Sequence, residues 1–418
     1  MSGKSLITSV CPHCKKDNVV RGKALTLAMT CQHCSTYFTR GNWTEVDVKF
    51  NDTTVPALPI GSKGKIEGTT YEVMGFVVKY VRKYRFKWRE YTLFNPVKGL
   101  AFLSESEGHW NFVKPLKDDP KGEKRGLSFN YNGKDFHLFQ KYKAEIVFAK
   151  GEFCFDIFSG TGKTLVEEYI APPYLLSLES DSESYRWYEG IYMPNTEVAS
   201  VFGLSTTTLP PKEGRGYTQP FISAFTKESL MLLCFILGAA LFAIQIYLHA
   251  SSQDKIVFEQ KFYGNSLKEG QKMFVTPSFE LEGDSKSLVM ELYAPLYNDW
   301  FFGNFVLVNE NDNSEYEFSK EIEYYSGNDG GESWSEGSKK GSAFLSRIPA
   351  GRYHLNIYPE FTFSNKEFSI TLIRDVSNMS NFWVTLLVLS IFPIFYFIRH
   401  HHIESSRWSD SDYSPYDE

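Results

Sequence analysis

The longest uninterrupted apolar run, residues 230–248 (LMLLCFILGAALFAIQIYL), has no charged side chain and one strongly polar one, Gln245. A helix rises about 1.5 Å per residue, so the run reaches across a hydrocarbon core of roughly 30 Å, whereas a helix buried in a soluble domain normally keeps a polar face. It predicts a transmembrane helix at 229–249. A second run, residues 382–398, is shorter and carries Thr385, Ser390 and Pro393. Phe382 and Trp383 at one end and Tyr396 at the other stand where interfacial aromatics gather. It predicts a second span at 381–398; for both runs the alternative is a buried core helix. Elsewhere the period changes. Between about 59 and 203, short runs rich in Tyr, Phe, Val and Thr (70–80, 90–94, 99–104, 110–115, 144–148, 152–158 and 163–170) are broken by turn residues, which predicts strands. Residues 254–376 alternate in the same way and predict a β-sandwich of about seven or eight strands. Between them, residues 204–220 are rich in Thr, Pro and Gly and read as a linker.

Cysteine spacing adds a site. Cys11 and Cys14 lie in CPHC, Cys31 and Cys34 in CQHC. Two Cys-x-x-Cys turns at this separation suit four thiolates around one tetrahedral Zn²⁺, because each turn aims two sulfurs at the same ion. Cys11, Cys14, Cys31 and Cys34 are the expected ligands of one structural Zn²⁺. His13 and His33 inside the turns are the alternative ligands, and a redox dithiol is the alternative chemistry, although the thioredoxin-like βαβ context is lacking. No cysteine lies between the two apolar runs, so disulfides do not frame the middle domain.

Thiolates that must stay reduced place residues 1–228 in the cytoplasm. Flanking charge agrees: Lys212, Arg215 and Lys227 precede the first span and Arg399 and Arg407 follow the second, against Lys255, Lys261 and Arg374 on the other side. His400, His401 and His402 read as a partly cationic flank to the second helix, with metal binding as the alternative. The N-terminus has no signal-peptide h-region. The fold class expected is multidomain and mainly β. It comprises a small zinc ribbon (1–45), a β-rich cytoplasmic domain (55–203), a linker (204–228), a transmembrane helix (229–249), an extracytoplasmic β-sandwich (250–380), a second transmembrane helix (381–398) and a cytoplasmic tail (399–418).

The β-rich domain carries a resemblance. Residues 60–77 (IGSKGKIEGTTYEVMGFV), 91–116, 168–180 (EYIAPPYLLSLES) and 187–202 (WYEGIYMPNTEVASVF) resemble the bacterial domain of unknown function 4178. The resemblance implies a bacterial origin and a module without an assigned reaction, and it supplies no catalytic residues. Gly61, Gly68, Gly75, Gly108, Trp110, Pro172, Pro173 and Trp187 then read as turn-formers and core aromatics. Residues 103–116 and 175–194 share an order of Ser and Glu, Trp, apolar stretch and Pro, which suggests a degenerate internal repeat.

Charge and motifs narrow the function classes. A net charge of −6 argues against nucleic acid as a partner. SGTGKT (159–164) lacks the first glycine of a phosphate loop and reads as a hairpin turn. The acidic loops 309–315 and 328–336 do not follow a calcium-loop order. Trp334 reads as packed against the sheet, with a ligand platform as the alternative. No nucleophile elbow or His-Glu-x-x-His occurs, and His137 has no evident partner.

The expected function is non-enzymatic sensing or scaffolding across the bacterial inner membrane, both termini cytoplasmic. The lipid bilayer and envelope proteins are the expected partners, and homo-oligomerisation is open. One alternative is a membrane-anchored enzyme, for which a cleft lined by Glu105, Glu107 and His109 would speak and a filled barrel would not. The other is carbohydrate or peptide binding by the outer domain.

Overall fold

The computed structural model describes residues 7–22, 25–39, 45–50, 54–120, 127–158, 163–180, 184–267, 271–361 and 367–416. The protein is mainly β, and its chain divides into two units, Met1–Ala224 together with Tyr396–Glu418, and Phe225–Phe395.

In the first unit β1 (Ile7–Val10) and β2 (Asp17–Val20) form a hairpin, and β3 (Ala28–Thr30), β4 (Thr36–Thr39) and β5 (Glu45–Lys49) follow as an antiparallel ribbon. The chain continues through β6 (Lys63–Ile66), β7 (Thr69–Val81), β8 (Phe86–Asn95), β9 (Gly99–Ser106), β10 (His109–Pro115) and β11 (Ser128–Tyr131). Then come β12 (Lys134–Phe153), β13 (Lys163–Ala171), β14 (Tyr174–Ser180), β15 (Tyr185–Met193) and the helix α1 (Asn195–Phe202). Antiparallel neighbours run β7, β8, β9, β10, β15, β14, β13, β12, and β12 pairs back onto β7. The result is a closed eight-stranded barrel, which leaves none of these strands with an open edge.

Closure depends on β12, the longest strand of the unit. It pairs β13 as far as Glu145↔Lys163, crosses a bulge between Ile146 and Phe148 while pairing β7, and ends against β3 through Glu152↔Met29. Where β12 meets β7, Gly151 faces Gly75. A Cβ on Gly75 would lie 2.7 Å from the Glu152 carbonyl oxygen, and one on Gly151 would lie 2.4 Å from that of Met74, at a φ of +101°. Two adjoining positions thus tolerate no side chain, which lets the backbones close the ring.

The internal repeat has a structural counterpart. Residues 103–116 lie in the β9–β10 hairpin and 175–194 in the β14–β15 hairpin, and the two stand side by side through the β10–β15 pairing. The ribbon is not a separate module as its expected 1–45 boundary implied, because β3, β4 and β5 extend the barrel sheet. Ala28, Tyr37 and Phe50 bury themselves with Phe148 and Phe153 of β12. Residues 204–220 also differ from a free linker: Leu209 and Thr218 are buried, and the Thr218 hydroxyl bonds to Asn111 with Asn195 donating to the Pro210 carbonyl. The hairpin turn expected at 159–164 falls largely on residues 159–162, outside the described residues. Its flank Lys163 does open β13, but opposite Glu145, in mid-β12.

The second unit holds α2 (Lys227–Ser251), then β16 (Lys255–Tyr263), β17 (Phe274–Val275), β18 (Phe279–Leu281), β19 (Lys286–Tyr293), β20 (Asp299–Asn309), β21 (Glu315–Asp329), β22 (Glu332–Gly337), β23 (Lys340–Ile348), β24 (Gly351–Phe361) and β25 (Glu367–Arg374). Two sheets, ordered β16-β25-β19-β23 and β17-β24-β20-β21-β22 with β18 also on β24, enclose Leu288, Met290, Phe301, Phe305, Leu355 and Phe368. Ten strands are described where seven or eight were expected. Two of the additional ones are β16, which buries only Phe262, and the wholly exposed β22, neither of which shows the clean alternation of a half-buried strand, and a third arises because β17 and β18 divide the run expected at 272–280.

The helix α3 (Ser380–Trp408) begins in this unit and runs without a break to Trp408. α2 and α3 are both long and apolar enough to cross a membrane. Their apolar side chains are exposed, Phe235, Phe242 and Ile244 on α2 and Leu387, Ile391 and Phe395 on α3 among them. A soluble core helix would bury such groups. Gln245, the single polar interruption, is buried with its amide on the Met379 sulfur.

Candidate functional site

Two sites can be built from side chains in the first unit. The first is the cysteine cluster. Each Cys-x-x-Cys turn is closed in the same way: Lys15 N donates to the Cys11 carbonyl and Ser35 N to the Cys31 carbonyl. Lys15 and Ser35 adopt positive φ of 62° and 58°, turning the chain directly after Cys14 and Cys34. Sγ of Cys11 lies 3.7 Å from that of Cys34, and Sγ of Cys14 lies 3.6 Å from that of Cys31. All four sulfurs fall within 4.8 Å of one another. An ion held tetrahedrally at about 2.3 Å from each sulfur requires sulfurs about 3.8 Å apart, so the spacing suits a metal.

Electrostatics at the cluster are uneven. Burial pushes the Cys11 thiol up to about 12, whereas at Cys34 burial is outweighed by the Thr36 hydroxyl and amide, which hold that thiol down to about 6. Four sulfurs this close repel as thiolates unless a cation lies between them. The His33 amide donates to Cys31 Sγ, while its ring nitrogen Nε2 lies 3.1 Å from the Asp17 carbonyl. The four-sulfur group contains neither His13 nor His33. The C-terminal histidines are likewise engaged elsewhere: His400 packs edge-on against Phe221 and His401 against Tyr416.

The second site is the barrel interior. The wall's outward row is apolar and buried: Phe76, Tyr91, Leu103, Trp110 and Phe112 pack with Val198 and Phe202 of α1. The inward row carries the charge. Lys79 of β7, Glu90 of β8, Glu145 of β12, Glu168 of β13, Glu179 of β14, Arg186 of β15 and Asp156 line a cavity of about 330 Å³, together with rings from Trp88, Tyr142 and Tyr188 and apolar groups such as Phe102, Val113 and Leu175. Lys79 Nζ lies 3.0 Å from Glu90 and 3.2 Å from Glu179. Burial disfavours the Lys79 ammonium, but Glu179 and Glu90 overcome it and hold Lys79 protonated. Burial also raises Glu90 against the pull of Lys79. It pushes Glu168 up to about 7 despite hydrogen bonding from Tyr142 and Tyr217.

One end of the barrel is sealed. Tyr217 Oη donates to Glu168 at 3.4 Å, and its ring stacks on Phe139 at 5.3 Å. Trp408 at the end of α3 packs on the same Phe139, and Arg407, fully buried, donates to the Tyr217 carbonyl at 2.7 Å while pairing with Glu404. The first part of the expected tail, as far as Trp408, is therefore a continuation of α3 that docks on the barrel.

The residues named for an enzymatic cleft form none. Glu105 is fully buried, pairs with Arg89 at 2.6 Å and accepts from Gly108 N. His109 is buried, with Nδ1 3.2 Å from the Tyr192 hydroxyl and Nε2 3.1 Å from the Glu213 carbonyl, and burial lowers its pKa. It clips residues 211–216 onto the barrel rather than facing a cleft. His137 is exposed on β12. In the other unit, Trp334 lies across Gly327 of the neighbouring strand and remains half-exposed. The acidic loop 309–315 is a chain of turns, with Asn311 N on Asn309 Oδ1 and Ser314 N on Asp312 Oδ1.

Sequence reasoning missed Lys79, Glu90, Glu168 and Glu179. The available signal was weak: in 88–94 (WREYTLF) the adjacent charges Arg89 and Glu90 fall on opposite rows, and both rows of β8 mix polar and aromatic groups. Only barrel closure shows which row faces in.

Comparison with solved structures returned an infectious bursal disease virus Gt strain structure, 8% identical over 85% of this chain and 66% of that one, with a TM-score of 0.18. A structure titled for the promiscuous specificity of carbohydrate-binding modules from the β-sandwich superfamily is 8% identical over 62% of this chain and 96% of that one, with a TM-score of 0.14. Likenesses this distant assign no fold. The chain spans just under two thirds of the viral chain, and no curated protein matches it. Residues 59–195, which take in β6 to β15 and with them Lys79, Glu90, Glu168 and Glu179 of the cavity, match the model of the family described as domain of unknown function (DUF4178), so the barrel is the part of this chain that resembles that family.

Proposed function

We propose that this is a non-enzymatic two-pass protein of the bacterial inner membrane, in which a Zn²⁺-bearing ribbon and barrel in the cytoplasm are joined to a β-sandwich outside for sensing or scaffolding across the envelope. The observation that carries this reading is the placement of the two exposed apolar helices: α2 enters the sandwich and α3 leaves it. A chain that crosses twice returns to its starting side, and the end of α3 packs on the barrel through Arg407 and Trp408. The four-thiolate set favours Zn²⁺ and a reducing compartment for that side. Protease treatment of spheroplasts tests the topology. Cleavage within 255–374 with the ribbon and barrel spared is expected; cleavage of the ribbon with the sandwich spared would reverse it.

A second reading, an enzyme in the barrel, is favoured by one observation. Glu168, held near 7 beside Tyr142 and Tyr217, has the properties of a general acid or base. Lys79 does not suit amine nucleophilic catalysis, being held protonated by two carboxylates.

A further inference from the structure

The barrel interior is arranged unlike a packing core. Eight strands enclose a space that side chains can fill or that can hold one small ligand. Here the largest apolar cluster lies outside the wall, and the inside, beside buried groups such as Phe102, Val113 and Leu175, keeps about 330 Å³ open among charged groups. That volume is at the small end for ligand pockets, which suits a metabolite-sized molecule.

The charges do not balance. The lining carries five carboxylates, Glu90, Glu145, Asp156, Glu168 and Glu179, against two cations, Lys79 and Arg186; Lys79 is divided between Glu90 and Glu179, and Glu145 pairs with Arg82. Among the described residues no lysine or arginine forms an ion pair with Glu168, whose hydrogen-bond partners are tyrosine hydroxyls. A walled-in carboxylate without a cation either takes up a proton or waits for a cation. Trp88, Tyr142 and Tyr188 present rings to the same space, and aromatic faces attract cations.

We propose that the barrel binds a small organic cation, an aliphatic amine or diamine, whose ammonium is received by Glu168 together with Glu179 and whose carbon chain lies along Trp88, Tyr142 and Tyr188. Glu168 faces Tyr142 from β12, Tyr217 from the segment after α1, Glu179 from β14 and Lys79 from β7, while Glu90 from β8 and Arg186 and Tyr188 from β15 line the same cavity. An ammonium arriving beside Glu168 displaces the carboxyl proton to solvent. Binding therefore releases a proton and tightens as pH rises through the titration of that group.

The test is calorimetric titration of the full-length protein in detergent with 1,4-diaminobutane and spermidine as cationic probes. 1,4-Butanediol serves as the neutral isostere and succinate as the anionic one. At least one amine should bind about tenfold or more tightly than the diol and succinate. Its apparent enthalpy should differ between buffers of different ionisation heat, as proton release demands. Glu168→Gln, which keeps size and hydrogen bonding, should weaken that binding by about tenfold or more while leaving metal content and near-ultraviolet circular dichroism unchanged. If that variant fails to fold, Glu179→Gln decides by the same comparison. Succinate or the diol binding as tightly, neither amine binding at about 10 mM, or amine binding unaltered in the folded variant would overturn the proposal.

Discussion

The Glu152 carboxylate, buried at the end of β12, accepts the backbone N–H of Arg21 at 2.9 Å, and the Arg21 guanidinium lies 3.7 Å from it. The same carboxylate accepts from Gly22 N and the Thr26 hydroxyl, each at 2.9 Å. One barrel side chain thus organises the loop joining the two halves of the cysteine cluster. Replacing Glu152 with Ala should destabilise this junction by about 3 kcal/mol, because two buried donors, Gly22 N and the Thr26 hydroxyl, and the half-buried Arg21 N lose their acceptor. Hydrogen exchange should show faster exchange at Arg21 and Gly22, and unchanged protection there would count against the role.

Metal removal should act locally. The cysteine turns have almost no apolar core beyond Val20, Met29 and Phe38, whereas the barrel is closed by its own ring of strands. A chelator should release one Zn²⁺ per chain and unprotect β1 and β2 while β7 to β10 keep their protection. Loss of protection throughout the barrel would show that the metal supports the whole unit.

Closure of the barrel should be intolerant of a single methyl group. Gly75→Ala forces a Cβ onto the Glu152 carbonyl oxygen, a backbone group with little room to move. A destabilisation of about 2–4 kcal/mol is expected, against only about 1 kcal/mol for Gly68→Ser, whose Cβ points into open space and whose cost is that of a positive φ. Thermal unfolding in detergent compares the two; equal midpoints would contradict the geometry.

Much of this architecture was legible in the chain. The spacing of Cys11, Cys14, Cys31 and Cys34 anticipated a cluster, because short loops fix local geometry. The runs at 230–248 and 382–398 anticipated exposed apolar helices, because length and composition are local properties too. The barrel was not legible as a barrel. Its closure rests on β12 pairing β13 and also β7, and on a Gly75–Gly151 contact between residues far apart in sequence. The cavity stayed hidden for the same reason, since Lys79 and Glu179 meet only after the ring closes. Arg407 read as a topogenic surface charge, yet the fold buries it between Glu404 and the Tyr217 carbonyl.

Stability should carry a pH signature from Glu168. Burial raises its pKa in the folded state from an ordinary 4.5 to about 7, so between these values the native chain holds a proton that the unfolded chain has lost. The stabilisation from this group is fully present below 4.5 and is lost as pH rises to about 7. Glu168→Gln should flatten that part of the profile. Unfolding midpoints measured from pH 4.5 to 7.5 check it, and an identical slope in the variant would refute the assignment.

Alkaline carbonate extraction of membranes from cells expressing the full-length protein decides whether α2 and α3 lie in a bilayer. Their exposed apolar faces, Phe235 and Phe242 on one helix and Leu387 and Phe395 on the other, predict that the protein stays in the membrane pellet at high pH. Removing residues 230–248 should leave the sandwich unexported and the second span, with its Pro393, poorly inserted. Wild-type protein that washes into the supernatant would contradict the two-span reading and the topology that depends on it.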